Sequence, residues 1–290
     1  MIVLTDALRT SPGMLTLSAA LLGMIVGSFL NVVILRLPRM MEVAWKRECR
    51  EILDLPAVEQ ETLSLTTPPS CCPHCKAPVR AWQNVPVISW LLLRGKCAKC
   101  AAPISVQYPL VEAFTGLLSA VCAWKFGWTP ELGAALVLTW ALVALAVIDL
   151  RTQLLPDDIT LPLLWLGLAL SFFPVFANLH DALTGAMAGY LSLWTVFHLF
   201  RLITGKEGMG YGDFKLFAAL GAWLGWQSLP LIILLASLVG AAAGIALILL
   251  RRQGKDIPIA FGPYLAAAGW IALIWGHEIT RAYLGASGIG

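Results

Sequence analysis

Apolar runs long enough to cross about 30 Å of hydrocarbon at ~1.5 Å per residue recur along most of this chain. They fall near residues 14–35, 109–126, 132–149, 158–176, 182–203, 214–228, 229–250 and 257–276, about eight in all, with the sixth short. Little charge is available to wet a surface. Of 290 residues, 59% are hydrophobic and 13% charged, against about 25% charged in a soluble domain. A backbone in lipid must satisfy its own hydrogen bonds, and no stretch shows the alternation of a membrane barrel. The sequence predicts an all-α polytopic membrane protein with about eight transmembrane helices and a small cytoplasmic insert between the first two.

Lys and Arg set the orientation. With an external N-terminus, all but Arg9, Lys125 and Arg281 of the twenty basic residues fall on the cytoplasmic side, a strong positive-inside bias. That places residues 37–108, the loop after Asp149 and the Gly-rich loop before Asp213 in the cytoplasm. The first apolar run is too long for a cleaved signal peptide, and Arg36 and Arg39 follow it rather than a cleavage site. No low-complexity stretch or internal repeat is visible.

The soluble insert opens with MMEVAWKRECREIL, in which Trp45, Cys49, Ile52 and Leu53 fall on one helical face. Such a helix lies on the membrane surface or against its own domain. Cys72-Pro-His-Cys75 follows, then twenty-one residues, then Cys97-Ala-Lys-Cys100. Paired CxxC turns at this spacing present four thiolates as a zinc ribbon does, with a redox pair as the competing use. A reducing cytoplasm disfavours disulfides. His74 is a spare ligand and Cys71 an alternative to its neighbour, while Cys49 and Cys122 read as packing residues. A four-Cys zinc has no open position, so its role is structural.

Two aspartates are out of place in so apolar a chain. Asp149 ends LTWALVALAVID, and Asp213, 64 residues on, closes Gly-Met-Gly-Tyr-Gly-Asp. A carboxylate at the edge of hydrocarbon is paired, neutralised or functional. Taken singly, Asp149 near Arg151 reads as an interfacial charge. Gly208, Gly210 and Gly212 leave the backbone before Asp213 free to bend and approach another helix. A plain turn is the other reading, since no complete GxGxxG or Walker sequence is present. Together the two lie on one membrane side at similar depth. Paired carboxylates within hydrogen-bonding reach share one proton. One then takes a proton from water while the other protonates a carbonyl oxygen, the chemistry of an aspartyl hydrolase.

The other acids and imidazoles offer no better set. Asp157 and Asp158 read as an N-cap and first-turn acid of the fourth span, Glu112 as an interfacial or inter-helix hydrogen-bonding group, and Glu207 as a loop residue. His198 reads as a packed or hydrogen-bonded imidazole. Gly23/Gly27, Gly185/Gly189, Gly221/Gly225 and Gly240/Gly244 each form GxxxG, which suits close helix packing.

The chain resembles the bacterial type IV prepilin peptidases, bifunctional leader peptidase/N-methyltransferases. The resemblance covers nearly the whole sequence. It rests on Gly27-Ser-Phe-Leu-Asn-Val-Val-Ile-Leu-Arg-Leu-Pro38, on Asn84-Val-Pro-Val-Ile-Ser-Trp-Leu-Leu-Leu-Arg-Gly-Lys-Cys97, on Asp149 through Leu155-Pro156-Asp157, and on Gly210-Tyr-Gly-Asp-Phe-Lys215. It implies that Asp149 and Asp213 are the catalytic pair of a GxGD-type membrane aspartyl protease; Gly210 and Gly212, read from their backbone freedom, are the expected support of the active-site loop. It further implies type IV prepilins and type II secretion pseudopilins as substrates, cut on the cytoplasmic side of the inner membrane, with the basic leader removed. The new N-terminal amine is then methylated with S-adenosylmethionine. The four-Cys insert matches the bifunctional branch. With no Rossmann-like fingerprint present, the S-adenosylmethionine contacts are assigned by elimination to the insert and adjoining loops.

The expected layout is a first transmembrane helix in 1–36, a zinc-binding insert carrying the methyltransferase part in 37–108, and a peptidase bundle in 109–290. Partners are the substrates and the lipid bilayer, with no nucleic acid. The competing readings are another GxGD protease without methyltransferase activity, a proton-coupled transporter, and a ribbon that docks a partner protein.

Overall fold

A computed structural model describes residues 9–56, 63–206, 208–251 and 260–287. Among these residues the regular structure is helical, with two isolated bridges and no β-strand. Glu207, Arg252, Lys255 and the first residues of the 257–276 run lie outside the described residues. The chain forms two compact units, Met1–Leu132 and Gly133–Gly290.

The first unit is built on α1 (Pro12–Ile52) and α3 (Gln107–Phe126), which pack along each other, with the insert and the short α2 (Ile88–Leu92) between them in sequence. Ser11 caps α1 by accepting the Met14 N–H, and Pro12 fills the first-turn position that needs no donor. The expected first span and amphipathic segment are one continuous helix of 41 residues that passes through Pro38. Beyond Pro38 the sequence is rich in strong helix formers, and Glu42 pairs with Lys46 one turn on. The predicted face of Trp45, Cys49, Ile52 and Leu53 is exposed rather than packed on the insert. Cys122, by contrast, is fully buried in α3.

Small residues let α1 and α3 approach. A Cβ added at Gly27 would lie 2.8 Å from the Cα of Glu112, and one at Gly116 2.6 Å from Met24 Cγ. Gly23 and Gly27 are therefore a true helix contact.

The second unit comprises α4 (Pro130–Thr152, which starts at the boundary), α5 (Asp157–Leu170), α6 (Leu179–Thr204), α7 (Tyr211–Leu224), α8 (Leu229–Arg251) and α9 (Gly262–Ser287). Its centre is α7, packed on α5, α6 and α9, with Phe214, Leu216 and Leu220 fully buried. At 14 residues α7 is roughly 21 Å long, short of the hydrocarbon thickness. Neighbouring helices enclose it.

The α6–α7 seam is made of backbone. Gly185 and Gly221 meet with no room for a Cβ on either, and a Cβ on Gly189 would lie 2.7 Å from the Phe217 carbonyl oxygen. Gly225 does a different job, ending α7 at φ +79°. Tyr190, Phe197 and Tyr211 stack edge-on around Phe214 at 5.4–5.9 Å. Trp223 on α7 donates its indole N–H to the Leu163 carbonyl of α5 at 2.7 Å. His198 donates from Nδ1 to the Trp194 carbonyl at 3.0 Å, the hydrogen-bonded imidazole expected.

Among the described residues, four helical stretches are long and apolar enough to cross a membrane: Pro12–Ile52, Pro130–Thr152, Leu179–Thr204 and Trp226–Ala246.

Candidate active site and metal centre

Asp149 sits in the last turn of α4 and is 5% exposed, so it is not an interfacial charge. Gln153 accepts a left-handed conformation (φ 55°) and returns its N–H to the Asp149 carbonyl, which ends the helix. The chain then crosses through Leu155 to Pro156, which is the N-cap of α5. Asp157 is therefore not the cap expected for that helix. It belongs to the first turn, and both its oxygens lie 2.7 Å from Lys215 Nζ.

Asp213 is the third residue of α7, whose N-cap is Gly210. The Asp213 N–H donates to the Gly210 carbonyl at 3.2 Å, and the Gly210 N–H donates back to the Asp213 carboxylate. This reciprocal bond, akin to a capping box, fixes the carboxylate at the helix start. The side chain is 6% exposed.

The glycines before it differ in purpose. None of Gly208, Gly210 and Gly212 needs a left-handed backbone. Gly212 is pressed on Leu155, where an added Cβ would come within 2.7 Å of Leu155 Cβ, whereas one on Gly210 would stay 3.8 Å from Asp213 Oδ2. Gly212 permits close approach, and Gly210 serves through its N–H.

A further glycine escaped the sequence reading. Gly262 opens α9, and its N–H donates to the Asp149 carboxylate. A Cβ there would lie 2.6 Å from Asp149 Oδ2 and 3.1 Å from Leu155 Cδ1. Gly-Pro at the head of an apolar run was its only sequence signal.

Asp149 and Asp213 come from separate helices and lie close enough to feel each other's charge. Each keeps one buried carboxylate oxygen, Oδ2 and Oδ1 respectively, without a hydrogen-bond partner among the described residues. Leu155 packs against both glycines that flank the pair. Two close carboxylates, each anchored through a backbone N–H and each with an oxygen in reserve, are equipped for acid–base chemistry.

In the first unit the four expected cysteines converge. Cys72, Cys75, Cys97 and Cys100 place all their Sγ atoms within 4.8 Å of one another; His74 and Cys71 are not part of the cluster. Cys72 Sγ is 3.8 Å from Cys100 Sγ, and Cys75 Sγ 4.0 Å from Cys97 Sγ. A tetrahedron of ~2.3 Å Zn–S bonds has edges of roughly 3.8 Å, so the set fits one zinc ion better than two separate dithiols.

The two halves also repeat each other, contrary to the expectation of no internal repeat. Cys-Pro-His-Cys-Lys-Ala-Pro and Cys-Ala-Lys-Cys-Ala-Ala-Pro are bracketed by equivalent bridges, Cys71 to Pro78 and Lys96 to Pro103. Lys76 and Ala101, each after the second cysteine, share φ near 55°. The leading thiol of each half is held low by equivalent backbone N–H groups. Cys75 and His74 act on Cys72, while Cys100 and Lys99 lower Cys97 to about 6. An Ala102 backbone bond pulls Cys100 down, but burial and its three sulfur neighbours outweigh it and push that thiol to about 11.

Two anchors tie the insert to α1 and α3. Arg36 donates to the carbonyls of Ser64, Leu65 and Pro68 at 2.6–3.2 Å. Glu112, 7% exposed, accepts the Val87 N–H and bonds the Ser28 side chain, so it is the inter-helix group expected.

Comparison with known proteins follows the same division. Residues 21–126 match the Bacterial Peptidase A24 N-terminal domain, and residues 136–245 match the Type IV leader peptidase family. The chain is 58% identical over 282 residues to a prepilin leader peptidase/N-methyltransferase of Pseudomonas aeruginosa, covering 97% of each protein. It is 58% identical to one of Aeromonas hydrophila, covering 91% of this chain and 92% of that protein. It is 50% identical to one of Neisseria gonorrhoeae with the same coverage. No solved structure matches the chain. The chain belongs to the prepilin leader peptidase/N-methyltransferase family, as its motifs implied.

Proposed function

We propose that the protein removes the basic leader from type IV prepilins and type II secretion pseudopilins, with Asp149 and Asp213 as the catalytic pair. It then methylates the new N-terminal amine using S-adenosylmethionine. The observation that carries the peptidase reading is the pair itself: two buried carboxylates on separate helices, in electrostatic contact, each with an unpartnered oxygen. The ionised member takes a proton from water as the water attacks the scissile carbonyl. Its neighbour protonates the carbonyl oxygen, and the tetrahedral species then collapses with proton return to the leaving amine. Gly210 and Gly262 hold the two carboxylates in place through their N–H groups, and Gly212 lets Leu155 close the gap between them.

Cys72, Cys75, Cys97 and Cys100 hold a structural zinc, which supplies folding energy to the insert and no step of either reaction. The insert, residues 37–108, carries the methyl-transfer part; residues 1–36 and 109–290 supply the first span and the peptidase bundle. Eight spans in the bacterial inner membrane put the pair and the insert on the cytoplasmic side, in keeping with the distribution of Lys and Arg. Crosslinking of labelled S-adenosylmethionine solely to residues 214–290 would overturn the placement of methyl transfer.

The peptidase test uses purified protein and a prepilin, with leader removal followed by mass. Asp149→Asn and Asp213→Asn each abolish cleavage while zinc content stays unchanged. Cleavage by both variants rules the pair out. Wild type supplied with S-adenosylmethionine adds one methyl group to the mature N-terminus.

A further inference from the structure

The second unit holds a cavity of about 300 Å³ between α8, α9 and the loop before α7. Its small floor comes from one face of α8, where Ser237, Gly240 and Ala241 stand at i, i+3 and i+4. Phe261 and Tyr264 wall it from the α9 side, and Met209 closes it from the loop. A Cβ on Gly240 would lie 3.2 Å from the Tyr264 ring, so the helices draw together there and bound the cavity.

Its position is what gives it meaning. Met209 directly precedes Gly210, the backbone donor to Asp213, and Phe261 directly precedes Gly262, the backbone donor to Asp149. Both short segments that orient the carboxylates thus run straight into the cavity wall. The lining carries no charged side chain, and its rings and thioether suit a large apolar or aromatic group. The volume is at the low end for ligand sites, roughly 300–1,000 Å³, which is room for one big side chain.

We propose that this cavity receives a large apolar side chain from the first few residues of the substrate segment that follows the scissile bond. The inference rests on the prepilin-peptidase reading above: a basic leader does not suit an uncharged apolar cavity, which leaves the segment on the other side of the scissile bond. Seating that side chain sets the register of the scissile bond against the carboxylates, and it acts mainly on KM.

The test fills the cavity. Ser237→Leu and Ala241→Leu project from α8 and touch neither carboxylate nor its backbone donor. Each is assayed, with wild type, on prepilins in which the first four residues after the cut are replaced by Ala one at a time. For wild type, one of these replacements raises KM at least fivefold. In the filled variants the parent substrate shows that same rise, and the replacement makes no further difference.

Equal losses on every substrate, or unchanged KM in both variants, overturn the proposal; an acyl chain of lipid occupying the cavity gives that result. Wild type failing to cleave any prepilin overturns the peptidase reading instead, so the two failures are distinguishable. Leu238→Ala, at an exposed position of α8 outside the lining, retains wild-type KM and controls for damage to the helix.

Discussion

The Val87 N–H meets Glu112 Oε2 at 2.7 Å, across 25 positions of sequence. Val87 stands at φ 58°, a conformation that a β-branched residue adopts only when held there. Glu112 supplies the hold. Glu112→Ala leaves a part-buried N–H unpaired and is expected to destabilise the insert by about 1–3 kcal/mol. Limited proteolysis between α1 and α3 should speed up accordingly. Glu112→Gln keeps an acceptor oxygen and should retain most of the protection.

Gly262 and Gly210 separate two roles that the sequence merges. Gly262→Ala puts a methyl group on the Asp149 carboxylate. Moving a reacting group by about 1 Å costs roughly a hundredfold in rate, so kcat should fall by about that factor. Gly210→Ala makes only an ordinary contact, 3.8 Å from Asp213 Oδ2, and keeps the N–H, so its kcat should stay within about threefold. Gly212→Ala, which collides with Leu155, should resemble Gly262→Ala. Equal effects at 210 and 262 would show that the carboxylate anchors are wrongly assigned.

Zinc removal should act on the insert first. Cys72→Ser or a strong chelator should release the metal and expose the insert to protease, while Cys71→Ser should keep both metal and fold.

The Lys215–Asp157 pair has ideal distances but is open to solvent on one side, with Asp157 52% and Lys215 29% exposed. Exposed pairs contribute about 0–1 kcal/mol. Lys215→Met should change thermal stability by a few degrees at most.

How much of this was legible in the sequence depended on the range of the signal. Asp149, Asp213 and the four cysteines announced themselves locally, because charge in apolar sequence and CxxC spacing are read within a few residues. Helix positions followed the hydropathy. The helix runs on past the boundary placed after Arg36, since the helix formers beyond Pro38 carry α1 onward. Gly262, Leu155 and the Glu112–Val87 bond were invisible for one reason: each matters through a partner tens of residues away. Asp157 looked like a cap because composition cannot distinguish the N-cap from the residue after it.

The glycine seam between α6 and α7 has a mechanical consequence. A joint made of side chains can slip by changing rotamers, but Gly185 against Gly221 has none to change. Like a keyed shaft, α7 has a single angular setting about its own axis. Asp213 inherits that setting from a contact eight residues away, roughly 12 Å along the helix. Any adjustment of the gap between the carboxylates must then come from α4, α9 or the loop at 208–210. The aim of Asp213 is decided where the protein has no side chain at all.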